Sequence, residues 1–387
     1  MLIVFLYFAA FIVVNLISRV FINSGARKLF QLVSCFILLF AFFGLRDITI
    51  LNDTPHYYGY YYAKSQYTSY INGSIFDYKL ADKFEWGFQV LVHFLIKYVS
   101  KDPYTIILFS SLLVTVGDLW FICKKAENVA MVCFFMLTSY IFFMHYCIIR
   151  QSIAILIFYI AYCKYLEKDK NLKYCILILF ASLFHISAIV LLLLPLFKRM
   201  KINKRNVIIT LSVFAFIAIF IFQILSILGL HNNPYYKMAI QRETISIVGL
   251  IECLLITLVL SVCYYIHKKD NSIKTDRNAF WVCVFAMGIG ITLPVFFVFE
   301  RINDYLWPIM LIVILKHVAP QYIYGESTNT LTGHHLLKKC FEIFIAFIFI
   351  IKIVGINTYR PEWLHIVPYK MYDFSAHYHY YHLYPQE

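Results

Sequence analysis

The sequence predicts an all-α polytopic transmembrane helix bundle of about 10–12 membrane segments, one or two of them re-entrant or interfacial. Three observations carry that reading. Hydrophobic residues make up 61% of the 387 residues and charged residues only 14%, against about 25% charged in an ordinary soluble chain. Mean hydropathy is +0.73. The apolar residues also come in long runs, and about 20 such residues in a helix cross the roughly 30 Å hydrocarbon core of a bilayer. Backbone in lipid has to satisfy its own hydrogen bonds, so the runs are helices.

Taken in order, the spans are expected at 2–18, 29–45, 104–123, 129–149, 151–166, 207–229, 246–266, 279–299, 302–319 and 340–356. The first run meets no cation until Arg19 and reads as an uncleaved helix entering from outside. Residues 86–99 are too short to cross and read as interfacial or re-entrant. Residues 174–197 suffice for one crossing but not two, with His185 near the middle. Six basic connections follow the runs: Arg19/Arg27/Lys28, Lys124/Lys125, Lys164 to Lys173, Lys198 to Arg205, Lys268 to Arg277, and Lys316 with Lys338/Lys339. The positive-inside rule puts all six in the cytoplasm. They fit if 174–197 dips in and returns as a hairpin with His185 at its apex; the rival is an ordinary span with one connection breaking the rule. The outer side then receives 46–103, the Arg150 turn, 230–245, the Glu300-Arg301 turn and the C-terminal tail. With no internal repeat or linker, residues 1–387 form a single integral membrane domain whose outer loop 46–103 carries interfacial helices.

The formal net charge of +13 fits cytoplasmic loops rather than nucleic acid, because no basic face combines with a nucleic-acid motif. The ten cysteines lie in or beside apolar runs without CxxC pairs and read as small buried hydrophobes. His377, His379 and His382 have no acidic or cysteine companion in sequence, so no metal site is expected.

The chemistry-bearing residues fall in short motifs: Gly44-Leu45-Arg46-Asp47, Asn52-Asp53-Thr54 with Tyr57, Glu85-Trp86-Gly87-Phe88, Arg150-Gln151, Phe184-His185-Ile186-Ser187-Ala188, and Glu300-Arg301 with Tyr305. Each has a plain alternative. Arg150 and Arg301 as cations at helix C-termini would contribute about 0.3–1 kcal/mol each. Arg46 pairs readily with Asp47 or Asp53, Glu85 caps the helix it precedes, and a lone histidine such as His185 is most often a satisfied interior one. Three arginines on the outer side nevertheless oppose the positive-inside tendency, and guanidinium suits bidentate phosphate binding. An outward-facing anion site follows. The tyrosines at 57–62, 67 and 70 read as an interface belt, with a sugar-stacking groove as the alternative.

These motifs in this order resemble the EpsG family of Wzy-like polysaccharide polymerases. The set runs from GLRD at 44–47 through DTxxY at 53–57, EWGF at 85–88, RQxxA at 150–154 and FHISA at 184–188 to Arg301, Tyr305 and Pro368-Tyr369. Asn52 and Trp86 depart from the Gly and Pro often found there, without removing a charged group. The resemblance implies a metal-independent glycosyltransferase, without cofactor, in the bacterial cytoplasmic membrane. It would join oligosaccharide repeat units carried on undecaprenyl diphosphate at the outer face, for O-antigen, capsule or exopolysaccharide. A flippase and a chain-length regulator are the implied partners. In that chemistry Arg46, Arg150 and Arg301 bind the diphosphate, and Asp53, Glu85 and His185 are the candidate bases for the acceptor hydroxyl. Thr54, Tyr57, Gln151 and Tyr305 are expected to bind sugar. The competing readings are a transporter or flippase of a lipid-linked or anionic sugar, and a membrane O-acyltransferase using His185.

Overall fold

Apolar length alone singles out five helices of the computed structural model as able to cross a membrane: Ser24–Gly44, Thr105–Lys125, Ile149–Leu166, Lys204–Ile227 and Lys339–Tyr359. The structure describes residues 2–74, 84–227, 276–325, 335–359 and 361–374, with scattered positions between 229 and 261. Among these residues there is no strand, only an isolated bridge between Arg46 and Met371. Shorter apolar helices, Leu2–Ser18, Asn171–Ser182 and Arg277–Thr292, complete the bundle. The expected span at 246–266 falls largely outside the described residues.

The Thr105–Lys125 and Ile149–Leu166 helices are mostly buried and form the centre. The Lys204–Ile227 and Lys339–Tyr359 helices are mostly exposed. Their outer stripes, Ile208, Val213, Phe216 and Ile219 on one and Ile343, Phe347 and Ile351 on the other, would be intolerable in water over that length and suit lipid. All described cysteines are free thiols.

Two departures from straight helices position the site. The expected span 129–149 is not straight. It is broken into Val129–Thr138 and Ile141–Cys147, bent by 75° at Tyr140, whose φ of +79° lies in the left-handed region. A tyrosine there costs about 1–2 kcal/mol, so packing fixes the bend against local preference. Residues 174–197 also break. The Asn171–Ser182 helix ends, His185 is extended, and a 3-10 segment at Ile186–Leu193 leads into Leu194–Arg199. The chain folds back on itself, because Tyr174 Oη donates to Leu191 O at 2.9 Å. Lys198 Nζ lies 2.7 Å from Asp169 and also donates to Leu166 O. Both ends of the segment therefore meet on one side, as the hairpin expectation requires, and His185 sits at the turn.

The segment between the second and third spans forms a cap of helices Thr54–Gln66, Thr68–Asn72 and Trp86–Tyr98. The 13-residue Trp86–Tyr98 helix is too short to cross, as expected. Tyr57, Tyr58 and Tyr61 do not form an interface belt. They are buried against Phe84, Phe88, Val92 and Leu95 in a second core that reaches Ile149 and Ile153. Helical spacing turns three of the tyrosines to one side, where aromatic area is worth more packed than wet. The C-terminal segment ties the cap down: Leu51 N bonds Leu364 O at 2.8 Å, Asp47 N bonds Lys370 O at 3.0 Å, and Tyr372 N bonds Leu45 O at 2.9 Å.

Candidate active site

Arg150 and Arg301 both occupy first turns of helices. Arg150 follows Ile149, where the Ile149–Ala161 helix begins, and Arg301 follows Glu300 at the start of Glu300–Val318. The C-terminal-cation explanation is thereby corrected: a helix N-terminus carries partial positive charge and disfavours a cation. Two guanidinium groups held against the dipole, at helix ends that already favour anions, need another reason to be there.

Arg150 is held from three directions. It pairs with Glu85, the two side chains being 18% and 22% exposed. It hydrogen bonds the Tyr57 phenol. Its guanidinium carbon lies 4.4 Å from the centre of the Phe84 ring. Burial pushes the Tyr57 phenol up to about 12 against the opposing pull of Arg150, so Tyr57 is neutral throughout the physiological range.

The Glu85-to-Phe88 motif staples this arginine to the hairpin. Ile186 N donates to Glu85 Oε1 at 3.4 Å and Gly87 N donates to Leu183 O at 2.8 Å. A Cβ on Gly87 would stand 2.8 Å from Leu183 O, so only glycine lets the helix approach the turn this closely. His185 stands at that turn: Arg150 and Arg301 both act on it electrostatically, and its Nδ1 bonds the Ser187 hydroxyl. Ser187 Oγ is in turn 3.2 Å from the Tyr305 hydroxyl. Gln151 Nε2 donates to Arg301 O and to Asp304 Oδ2, the latter at 3.2 Å, linking the two helix starts directly.

The remaining sequence expectations fare differently. Arg46 is fully buried and its guanidinium is consumed within the fold. Its nitrogens donate to Thr54 Oγ1 at 3.2 and 3.3 Å, to Ser111 Oγ at 3.0 Å, to Tyr146 O at 3.0 Å, and to Phe43 O. That leaves Arg46 fastening the cap to the central helices and not facing a ligand. Thr54 is fully buried as its acceptor. Tyr57, Gln151 and Tyr305 are also buried and committed to Arg150, to Arg301 and Asp304, and to Ser187 respectively. Thus each of the four expected sugar ligands has a partner within the protein. Asp53 is half-buried in the turn before the Thr54–Gln66 helix, where it acts on Tyr57 and Cys147.

Sequence reasoning passed over Asp118, His145 and Asp304, and named Ser187 and Gly87 only as members of motifs. Asp118 is fully buried in the middle of a central helix. Both its carboxylate oxygens lie 3.0–3.1 Å from His145 Nδ1, and Tyr159 Oη donates to it at 3.1 Å. The signal was available: Asp118 is the lone acid within an apolar run, and an ionisable group at membrane depth is costly enough to demand a role. Among the described residues no group of three or more histidine, cysteine, aspartate or glutamate side chains is arranged to hold a metal ion. His377, His379 and His382 lie outside the described residues.

No curated protein and no solved structure matches the chain. The sequence model of the EpsG family, related to the Wzy-like polymerases, matches residues 28–371, which span every motif gathered at the two helix starts, and the chain belongs to that family.

Proposed function

We propose that this protein is a membrane glycosyl polymerase that joins undecaprenyl-diphosphate-linked oligosaccharide repeat units at the outer face of the bacterial cytoplasmic membrane. Family membership supports a membrane polysaccharide polymerase in general. The observation that carries the finer reading is the pair Arg150 and Arg301, in the first turns of two linked helices around His185.

In this reading Arg150 and Arg301 hold the donor diphosphate, and the helix N-termini add to their field. As the anomeric C–O bond breaks, its electron pair moves onto the diphosphate, where fixed cations stabilise the growing charge. Of the three candidate bases, His185 is taken to receive the acceptor hydroxyl proton, since it sits at the hairpin turn with its ring oriented by Ser187. Glu85 is committed to Arg150 and orients it, while Asp53 sits nearer Tyr57. Direct attack of the hydroxyl oxygen on the anomeric carbon inverts its configuration. Arg46 belongs to the scaffold that seats the cap. The reaction draws on no cofactor or metal, and lipid-linked repeat units are the partner the site needs.

The test is purified full-length protein in liposomes given only lipid-linked repeat units. The expected product is a ladder of longer chains with inverted linkage. Unextended units after prolonged incubation with well-inserted protein would overturn the reading.

A further inference from the structure

The buried Asp118–His145 pair lies outside the mechanism so far, yet it reaches the same helix start. His145 Nδ1 is held by Asp118, whose carboxylate also accepts from Tyr159. The opposite nitrogen, Nε2, is buried with no hydrogen-bond partner among the described residues. It belongs to a chamber of about 20 Å³, lined also by Asp304, Glu300, Lys352, Tyr140 and Trp307. That volume accommodates one water molecule. Asp304 lies at the junction, because Gln151, next to Arg150, hydrogen bonds its carboxylate at 3.2 Å.

We propose that Asp304, His145 and Asp118 form the proton outlet of the active site. This rests on the polymerase reading for the origin of the proton. The acceptor O–H bond breaks, its oxygen bonds the anomeric carbon, and the electron pair of the broken C–O bond leaves on the diphosphate. The proton taken by His185 cannot stay beside two guanidinium groups. Its ring is hydrogen bonded to Ser187 and through it to Tyr305, the neighbour of Asp304 in the Glu300–Val318 helix. From Asp304 the proton passes to His145 Nε2, with Asp118 supplying the compensating negative charge. It leaves through the chamber, past Glu300, which is exposed. The charged and titratable groups facing His145 are Asp118 and Tyr159 from the central helices, Asp304 and Glu300 from the Glu300–Val318 helix, and Lys352 and Tyr140 across the chamber. His145 acts through Asp304 and is a positioning and relay residue, not one that touches substrate.

Two measurements on the full-length protein in lipid nanodiscs test this. The first is deuterium exchange at the histidine C2 position, followed by mass spectrometry across a pH series. His145 is expected to exchange with a sigmoidal pH dependence. Asp118→Asn and Asp304→Asn each remove an anion that favours the imidazolium, and should move the midpoint to lower pH by about one unit. The second is the pH profile of chain formation. Asp118→Asn should displace its acidic limb in the same direction, and His145→Gln should abolish that limb with at least a tenfold loss of rate. A His145 ring that does not exchange, midpoints that coincide, or rate profiles that fall in parallel at every pH each overturn the proposal. If the wild-type protein makes no chains, the polymerase reading fails, and the exchange measurement alone still decides whether the relay exists.

Discussion

Replacing Arg150 by lysine separates holding charge from holding geometry. The lysine keeps the positive charge beside Glu85, so that carboxylate is not left uncompensated. What disappears is the planar fork that serves Glu85 and Tyr57 together, and the guanidinium face 4.4 Å from Phe84. The pair is partly exposed and the stack is a single contact, so folding should lose only about 1–2 kcal/mol. Chemistry should lose more. Removing one well-placed donor to charge that grows in a transition state costs about 2.7–4 kcal/mol, or roughly 100- to 1,000-fold in rate. The assay is the initial rate of chain formation in liposomes at matched protein, beside thermal unfolding in detergent. A variant within threefold of wild type would clear Arg150 of the diphosphate. A variant that unfolds much earlier would make it a strut of the cap.

Arg301→Lys should show the same signature, a hundredfold or greater loss of rate with folding nearly intact, in the same assay. Arg46→Met should do the opposite: it strips the guanidinium donors from the Tyr146 carbonyl and the Thr54 hydroxyl, leaving Ser111 and Phe43 only each other, at about 1–3 kcal/mol per unsatisfied group, so a large drop in unfolding temperature is expected, and wild-type stability would refute its scaffold role. Gly87→Ala pushes a methyl against the Leu183 carbonyl, and should cut chain formation at least tenfold by moving Glu85 and the hairpin turn apart; unchanged rate would mean the turn yields freely. Tyr57 has a phenol raised to about 12 by burial, so it adds no titration to the rate below about pH 10, and its raised value lowers stability only as pH climbs above the unfolded value of 10. Tyr57→Phe should therefore slow the reaction severalfold with the same pH profile from pH 6 to 9, and a displaced limb there would contradict the assignment. Single cysteines at 198–205 should label from the same side as those at 164–173 and from the side opposite loop 46–103; labelling of 198–205 together with the loop would undo the hairpin.

Composition carried most of the fold into view because lipid leaves a helix so few alternatives. Run length located the helices that pass as spans, and the short 86–99 segment was recognisable as something else. The bend at Tyr140 was not legible, since nothing in an apolar run announces a left-handed tyrosine that packing alone imposes. The site was half legible. Charge on the outer side pointed to Arg150, Arg301, Glu85 and His185, and these do gather. Arg46 shows the limit of that inference: the same charge at the same kind of helix end serves internal carbonyls, and only its partners distinguish the cases. The expected sugar ligands meet partners within the protein for a related reason. Polar groups beside a charged motif are as often needed to hold the charge as to meet the substrate, and Gln151 and Tyr57 do the former.

The two broken segments bear on enzyme against transporter. The sequence offered one break, and two of the expected membrane segments are broken among the described residues. Transporter breaks are expected in corresponding positions of two related halves, placing unwound backbone at a shared midplane site. Here the breaks differ in kind. One is a 75° bend through a left-handed tyrosine, and the other reverses the chain and continues as a 3-10 helix. In chain order they bracket a stretch of several helices, among them Ile149–Ala161. The first carries His145, whose carbonyl accepts from Ser152 in that helix, and the second carries His185, on which Arg150 of its first turn acts. A carrier needs breaks that exchange access between two sides. These breaks instead bring two chain segments, that of His145 through its backbone and that of His185, against the one helix that carries Arg150.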